Sequence, residues 1–372
     1  MINICYVISD IAKSFSLEWN IANIDRSKFN LYVVLINNAD TEFEQFLRKQ
    51  SIPGYRIAYK SKADMPGTIY RIWKYLKKEK IQIVHCHLFE ASIAGLIAAK
   101  LAGINKRIYT RHNSTINLDY YPKAVKYDRL VNYLSTDIIA ISKVVKDVLM
   151  LRENVPEHKI KIVYHGFDFD MMERLADEHK TETAEKYKLT SNKYPVVGVV
   201  SRFIDYKGVQ FIIPAFKKFL TNYPNAHLVF CNAVGPNSSN IKELLKDIPS
   251  ENYSIIGFEE NIFSMYRLFN IFVHVPVYAE SEAFGLSCIE ALALGVPSVF
   301  TSAGIINEIG RDKDNCLLVD FKSGESIYRA MLKIMEEPEL KEKIIKNGKI
   351  TAKSGQFDIV EMTKRLEQIY LS

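Results

Sequence analysis

The chain has 372 residues, long enough for two domains of ordinary size. Its hydrophobic fraction of 48% and charged fraction of 25% are those of a soluble globular protein. A net charge of +6 suits anionic small molecules or an acidic membrane surface, and is too weak and too scattered for nucleic acid. The five cysteines are far apart, odd in number and without metal-ligand spacing, so they read as buried thiols in a reducing compartment. The opening MINICYVISD reads as a strand and lacks the charged leader and apolar core of a signal peptide. The longest apolar stretch, Leu88 to Ile104, is interrupted by Glu90 and Lys100 and is not a membrane span. A cytoplasmic protein is expected.

In chain order, Ile2 to Ile8 reads as a buried strand, followed by a helix through Leu17, Ile21 and Ile24. Leu31 to Ile36 is a strand and Glu42 to Lys49 a helix. Pro66 to Lys80 is amphipathic, with Ile69, Ile72, Trp73 and Leu76 on one face and Arg71, Lys74, Lys77 and Lys78 on the other. Strands at Ile81 to Cys86, Arg107 to Thr110, Asp137 to Ile141 and Lys161 to Tyr164 alternate with helices at Ala91 to Leu101 and Asp119 to Leu134. Asp170 to Lys193 is charged, has no long apolar run, and is taken as the linker. The alternation then resumes: strands at Pro195 to Ser201, Leu228 to Cys231, Tyr253 to Ile256, Ile271 to Val275 and Ser298 to Phe300, with a helix at Val209 to Leu220. Such alternation predicts an α/β protein of two doubly wound, Rossmann-like domains facing across a cleft. The boundaries expected are 1–178 and 179–355, with 356–372 forming a last helix.

The most informative stretch is Glu280 to Pro297, ESEAFGLSCIEALALGVP. Glu282 precedes a Phe-Gly pair, and Leu286 to Leu294 reads as a short helix stopped by Gly295 and Pro297. Gly285 permits a tight turn, so amides from Phe284, Gly285 and Leu286 meet whatever fills the loop, and with the helix dipole they suit a phosphate. Glu290 lies about one turn inside that helix, placed for sugar hydroxyls at the other end of the same ligand from Glu282. A phosphate flanked by hydroxyls describes a nucleotide sugar. In VVGVVSRFIDYKG, Arg202 leaves a strand end and Lys207 precedes a helix start, a place where two cations suit a diphosphate.

Together E-x-F-G-L-x-x-x-E-A-x-A-x-G-x-P-x-V and the Arg-Lys segment resemble the signature of retaining glycosyltransferases of family four, which have the GT-B fold. The resemblance covers nearly the whole chain. It implies that Arg202 and Lys207 hold the donor diphosphate, Glu282 the sugar and Glu290 the ribose. His112, after the strand Arg107 to Thr110, resembles the family's histidine that contacts the transferred sugar. IVYHGFD, Ile162 to Asp168, looks like an N-G-V-D motif with His165 in the Asn place. Phe258, Glu259 and Asn261 match the segment beside the nucleotide base, mostly through backbone. The resemblance also implies that the last helix crosses back to the first domain. His85 and His87 alternate along a strand end, and a cleft-lining or structural pair is the simpler reading than a metal site.

Three departures stand out. The family's Gly-Gly pair in the first loop is Ser14-Phe15-Ser16 here, so side chains, Ser16 among them, occupy the approach to donor phosphate and acceptor. A usual G-x-G becomes Cys231-Asn232-Ala233-Val234-Gly235, and a usual Asn-Gly becomes Asn315-Cys316. The resemblance implies a metal-independent, retaining hexosyltransferase without cofactor. It would use a UDP- or GDP-linked sugar and a glycan or lipid-linked acceptor, in surface polysaccharide or lipopolysaccharide synthesis. The alternatives are a catalytically silent partner subunit, which the first-loop change favours, and a sugar-nucleotide epimerase. For the basic, aromatic segments at Asp119 to Leu134 and Pro66 to Lys80, packed helices with solvated outer faces are the simpler reading, with weak peripheral membrane contact as the alternative.

Overall fold

The computed structural model describes residues 1–189 and 192–372. It divides into two compact units, Met1–Phe167 with Gln356–Ser372, and Asp168–Gly355. The first holds seven strands: β1 (Ile2–Ser9), β2 (Phe29–Ile36), β3 (Gly54–Ile57), β4 (Ile83–His87), β5 (Lys106–Arg111), β6 (Asp137–Ala140) and β7 (Ile160–Ile162). They form one parallel sheet in the order β3-β2-β1-β4-β5-β6-β7. The second holds β8 (Val196–Val200), β9 (His227–Cys231), β10 (Tyr253–Ile256), β11 (Ile271–His274), β12 (Ser298–Phe300) and β13 (Leu317–Leu318). Their order is β10-β9-β8-β11-β12-β13, again all parallel. Both units are thus Rossmann-like, as the alternation of strand and helix predicts.

Parallel strands covered on both faces need continuous apolar runs. In β1 everything from Ile4 to Ser9 is buried, and the whole of β8, VVGVV, is buried too. Each sheet order reverses once, between β1 and β4 and between β8 and β11. Chain segments leave the carboxyl ends of strands in opposite directions at such a point and open a crevice for ligands. In each unit the candidate site residues lie at these ends.

Two expectations are corrected. The charged stretch taken as a linker is helical, Phe169–Glu178 and Lys180–Lys186. Asp168 caps the first of these by accepting from the Met171 amide at 2.9 Å, while Met172 and Ala176 supply a narrow buried stripe. Dense charge on the other faces hides that stripe from a reading by apolar runs. The division between units accordingly falls at Phe167–Asp168, ahead of the 178/179 boundary read from the sequence. The expected helix Asp119 to Leu134 is interrupted. A short helix ends at Asp119, Pro122 holds its predecessor Tyr121 out of the helical region (φ −132°, ψ 60°), and a new helix runs Val125–Leu134. Strands β3 and β13, four and two residues long, escaped sequence reading because they are too short to carry a pattern.

The last helix, Ile359–Leu371, belongs to the first unit and packs on the Phe15–Asn23 helix. Its anchor is Tyr370, whose hydroxyl lies 2.7 Å from the Tyr6 hydroxyl and 2.8 Å from His85 Nδ1. Tyr6 and His85 are fully buried and Tyr370 nearly so. Replacing Tyr370 with Phe removes one hydroxyl and strands the buried His85 Nδ1, while the Tyr6 hydroxyl keeps its bond to Asn20 Oδ1 at 2.9 Å. The substitution is expected to cost about 1–3 kcal/mol in chemical denaturation, and an unchanged denaturation midpoint would show that the network carries no stability.

Candidate active site

In the second unit, Ser201 and Arg202 follow β8, and a single turn, Asp205–Lys207, brings Lys207 back toward the neighbouring strand β11. The turn depends on Gly208, at φ +76°, where a Cβ would sit 1.8 Å from the Val275 carbonyl oxygen. No other residue lets the chain pass β11 so closely. Lys207 Nζ reaches Glu282 Oε2 at 2.5 Å, and His274 Nε2, at the carboxyl end of β11, reaches the same oxygen at 2.9 Å. His274 therefore donates through Nε2, and its buried Nδ1 has no hydrogen-bond partner among the described residues. Burial disfavours the charged form of Glu282, but the Lys207 charge and the His274 hydrogen bond outweigh it and hold the carboxyl well below the usual range. Both of these contacts fall on Oε2 and not on Oε1.

The backbone after Glu282 is held from behind. Ile305 donates to the Phe284 carbonyl at 2.8 Å, and a Cβ at Gly304 (φ +56°) would meet both Phe284 O and Glu282 Cγ inside 3 Å. Gly285, at φ +91°, then turns the chain into the helix Leu286–Ala293, whose N-terminus has no side-chain cap. Phe284 is buried under this turn, while Leu286 and Arg202 are exposed. Glu290 lies in the second turn of that helix and accepts from the Tyr266 hydroxyl at 2.7 Å. Close packing around it pushes its carboxyl up to about 7, despite that hydrogen bond.

Phe258, Glu259 and Asn261 follow β10. The Phe258 ring is 64% exposed. The Glu259 side chain turns inward: Lys186 Nζ lies 2.8 Å away, the Tyr187 hydroxyl donates to it, and it accepts from the Asn261 amide at 2.8 Å. Glu259 thus ties the loop to the Lys180–Lys186 helix, a role that sequence reading, which had no helix there, could not assign.

In the first unit four histidines gather at the carboxyl ends of β4 and β5 and in the loop after β7. His87 Nδ1 and His112 Nε2 are 3.2 Å apart, Ser16 Oγ is 3.1 Å from His165 Nδ1, and the His112 and His165 rings stack at 5.7 Å. His85 Nε2 meets Thr110 Oγ1 at 2.8 Å. The loop bearing His112 is pinned by Arg111, which donates to the Asn113 and Ser114 carbonyls and is itself held by Asp128 at 3.1 Å and Glu153 at 2.5 Å. Ser16, His87, His112 and His165 line a cavity of about 20 Å³, together with apolar side chains such as Ile139 and Val163. That is room for a water, so a sugar ring would meet these groups at the mouth. Burial lowers every ring: His112 to about 4, His85 and His165 to about 3, and His87 well below its ordinary value. The cluster is neutral at pH 7.

Glu282, Lys207, Phe284, Gly285, Leu286 and Arg202 share one end of the second sheet, with Glu290 behind them in the helix; Ser16 and His112 share one end of the first. His274 was missed. Its one signal is a lone imidazole closing the otherwise apolar strand IFVH.

Two family descriptions match: Glycosyl transferases group 1 over residues 180–351, and Glycosyltransferase Family 4 over residues 25–171. The capsular polysaccharide biosynthesis glycosyltransferase CapM of Staphylococcus aureus is 28% identical over 307 residues, 79% of this chain and 77% of its own. The UDP-Gal:alpha-D-GlcNAc-diphosphoundecaprenol alpha-1,3-galactosyltransferase of Escherichia coli is 24% identical over 324 residues, 83% of this chain and 79% of its own. Among solved structures, HepE of Anabaena in complex with UDP and glucose has a TM-score of 0.84 at 18% identity over the whole of both chains, a likeness of fold.

The neutral histidines carry a pH dependence. Between pH 6.5 and about 4 the unfolded chain binds protons that the folded rings refuse, so their contribution is complete above 6.5 and is lost as pH falls. The expected loss is about 1.4 kcal/mol per pH unit per ring. Denaturation midpoints measured from pH 7.5 to 5 should drop, and His165→Gln should flatten the decline. A profile flat over that range in the wild-type chain would mean that the rings are not buried neutral.

Proposed function

Since the chain belongs to the family 4, group 1 glycosyltransferases, whose fold it has, we propose that it moves a hexose-type sugar from a UDP- or GDP-linked donor to a glycan or lipid-linked acceptor, with retention, in surface polysaccharide or lipopolysaccharide synthesis. The observation that carries this reading is the Lys207–Glu282–His274 cluster, set at the switch point of the second sheet before an uncapped helix N-terminus. The assignment of polysaccharide synthesis rests on likeness to proteins such as CapM.

In this reading the second unit binds the donor. Arg202 and Lys207 meet the diphosphate, assisted by amides of the Phe284–Gly285–Leu286 turn, and oppose the negative charge that grows as the sugar leaves. Glu282 accepts from sugar hydroxyls through Oε1. Glu290, balanced near neutrality, accepts from or donates to the ribose. Phe258, Glu259 and Asn261 edge the base, Glu259 by shaping the loop. The acceptor approaches the first unit near Ser16 and His112, where a neutral imidazole meets hydroxyls as a hydrogen-bond partner and not as a cation. The cavity at Ser16 and His112 has no carboxylate in its lining, so no nucleophile for a covalent intermediate is offered there. The bond from the anomeric carbon to phosphate breaks, the acceptor oxygen bonds on the same face, and its proton passes to the leaving phosphate. No metal and no cofactor enters these steps, and the chemistry is placed in the cytoplasm, where sugar nucleotides are made.

Calorimetric titration with UDP, GDP, ADP and their common sugars tests the donor site. One base should bind, and Arg202→Ala and Lys207→Ala should each weaken it about 10- to 100-fold. Arg202 is exposed, so its variant separates binding from folding. No binding by folded wild-type protein would favour a silent partner subunit. Turnover of a sugar nucleotide without acceptor would favour an epimerase.

A further inference from the structure

Side chains of the helices Phe169–Glu178 and Lys180–Lys186 hold one short stretch of the second unit, residues 259–267. Thr183, Lys186 and Tyr187 are spaced i, i+3 and i+4, so they share one helical face. Lys186 Nζ, at 2.8 Å, and the Tyr187 hydroxyl both donate to Glu259 Oε2, while Glu259 Oε1 accepts from the Asn261 amide at 2.8 Å. The Glu259 side chain is 1% exposed, and it bridges helix and loop from inside. The Ser264 hydroxyl donates to the Asn261 carbonyl at 2.6 Å. Having one proton only, it accepts from Thr183, whose Oγ1 is also 2.6 Å away. Both hydroxyls are buried. At the far end of the stretch, Arg267 donates to Asp177 at 2.9 Å and to the Leu294 carbonyl at 2.9 Å, where the helix that bears Glu290 stops.

Between these anchors Ile262–Tyr266 is barely more than one helical turn, too short to hold its own shape. It packs on both of the charged helices and on Leu286–Ala293. Ahead of it stand Phe258, Glu259 and Asn261, read above as the edge of the base. At its end the fully buried Tyr266 donates to Glu290, read above as the partner of the ribose. We propose that Thr183, Lys186 and Tyr187 are positioning residues that set nucleobase selectivity. They fix the 259–261 loop in one geometry, so that its backbone groups match the edge of one base and leave another base with unpaired polar groups. None of the three has to touch the ligand. A loop freed from its anchor populates several geometries, loses affinity for the right base and gains tolerance of the wrong ones. Lys207 and Glu282 lie in the segments after β8 and β11, so the diphosphate end keeps its shape when this anchor is cut. The proposal rests on the reading of the second unit as the donor half.

Calorimetric titration of the full chain with UDP, GDP and ADP, and displacement of the bound nucleotide by inorganic pyrophosphate, test it. The double variant Lys186→Met, Tyr187→Phe should weaken the preferred nucleotide about 10-fold and shrink its margin over the other two by a similar factor. Its affinity for pyrophosphate should match that of the wild type. Thr183→Val should act in the same direction, and Thr183→Ser, which keeps the hydroxyl, should restore selectivity. The Lys186 side chain is 55% exposed, so Lys186→Met alone separates the effect from misfolding if the buried Thr183 tolerates no change. Unchanged selectivity in every variant of a wild type that prefers one base would overturn the proposal alone. Parallel loss of nucleotide and pyrophosphate binding would also overturn it, since general loosening of the unit would then explain the result. So would Thr183→Ser behaving like Thr183→Val. Folded wild-type protein that binds no nucleotide would overturn the donor reading, and the proposal with it.

Discussion

A carboxylate withdrawn from water stays ionised only if positive charge and hydrogen bonds replace its hydration, and the second unit is built to do that for Glu282. Lys207 and His274 converge on one of its oxygens from the ends of two adjacent strands. That convergence requires β8 and β11 to be neighbours, which the reversal of strand order provides. It also requires the Lys207 turn to pass within contact of Val275, which Gly208 permits, and the Glu282 turn to lie against a residue without a side chain, which Gly304 supplies. A buried ion pair is a weak source of stability, because the attraction mostly offsets desolvation. Its retention here makes better sense as positioning: a cation and a carboxylate oxygen are fixed before any ligand arrives.

The two units use opposite electrostatics at equivalent places in their sheets. At the carboxyl end of the second sheet the groups are charged: Arg202 follows β8, and Lys207 pairs with Glu282 just ahead of the Leu286–Ala293 helix. At the carboxyl ends of the first, four imidazoles are packed so tightly that burial keeps them neutral. Charge suits a diphosphate whose negative charge grows as its bond breaks. Neutral hydrogen-bonding groups suit hydroxyls, which gain nothing from a full charge and must leave easily. Arg111, itself locked between Asp128 and Glu153, supplies the rigidity that the short His112 loop lacks.

Much of this was legible in the sequence. Buried parallel strands are continuous apolar runs, so β1, β8 and β9 are plain in the text of the chain, and the Glu282 to Glu290 segment marks its own helix through Gly285 and Gly295. What stayed hidden depended on partners far away in sequence. His274 reads as an odd residue in a strand until Glu282 is seen beside it. The helices after Asp168 bury too narrow a stripe to stand out among their charges. Glu259 reads as a loop acid because the helix that engages it was not foreseen. The family resemblance supplied the order of motifs, whereas the side-chain partners came only from the fold.

The central claim is that the Lys207–Glu282 cluster is the diphosphate end of a donor site. A crystal structure with the bound nucleoside diphosphate sugar tests it most directly. The account predicts diphosphate oxygens within hydrogen-bond reach of Lys207 Nζ and the Arg202 guanidinium, in front of the Leu286–Ala293 helix, with the sugar against Glu282. A nucleotide bound elsewhere on the chain, with neither cation touching its phosphates, would contradict it.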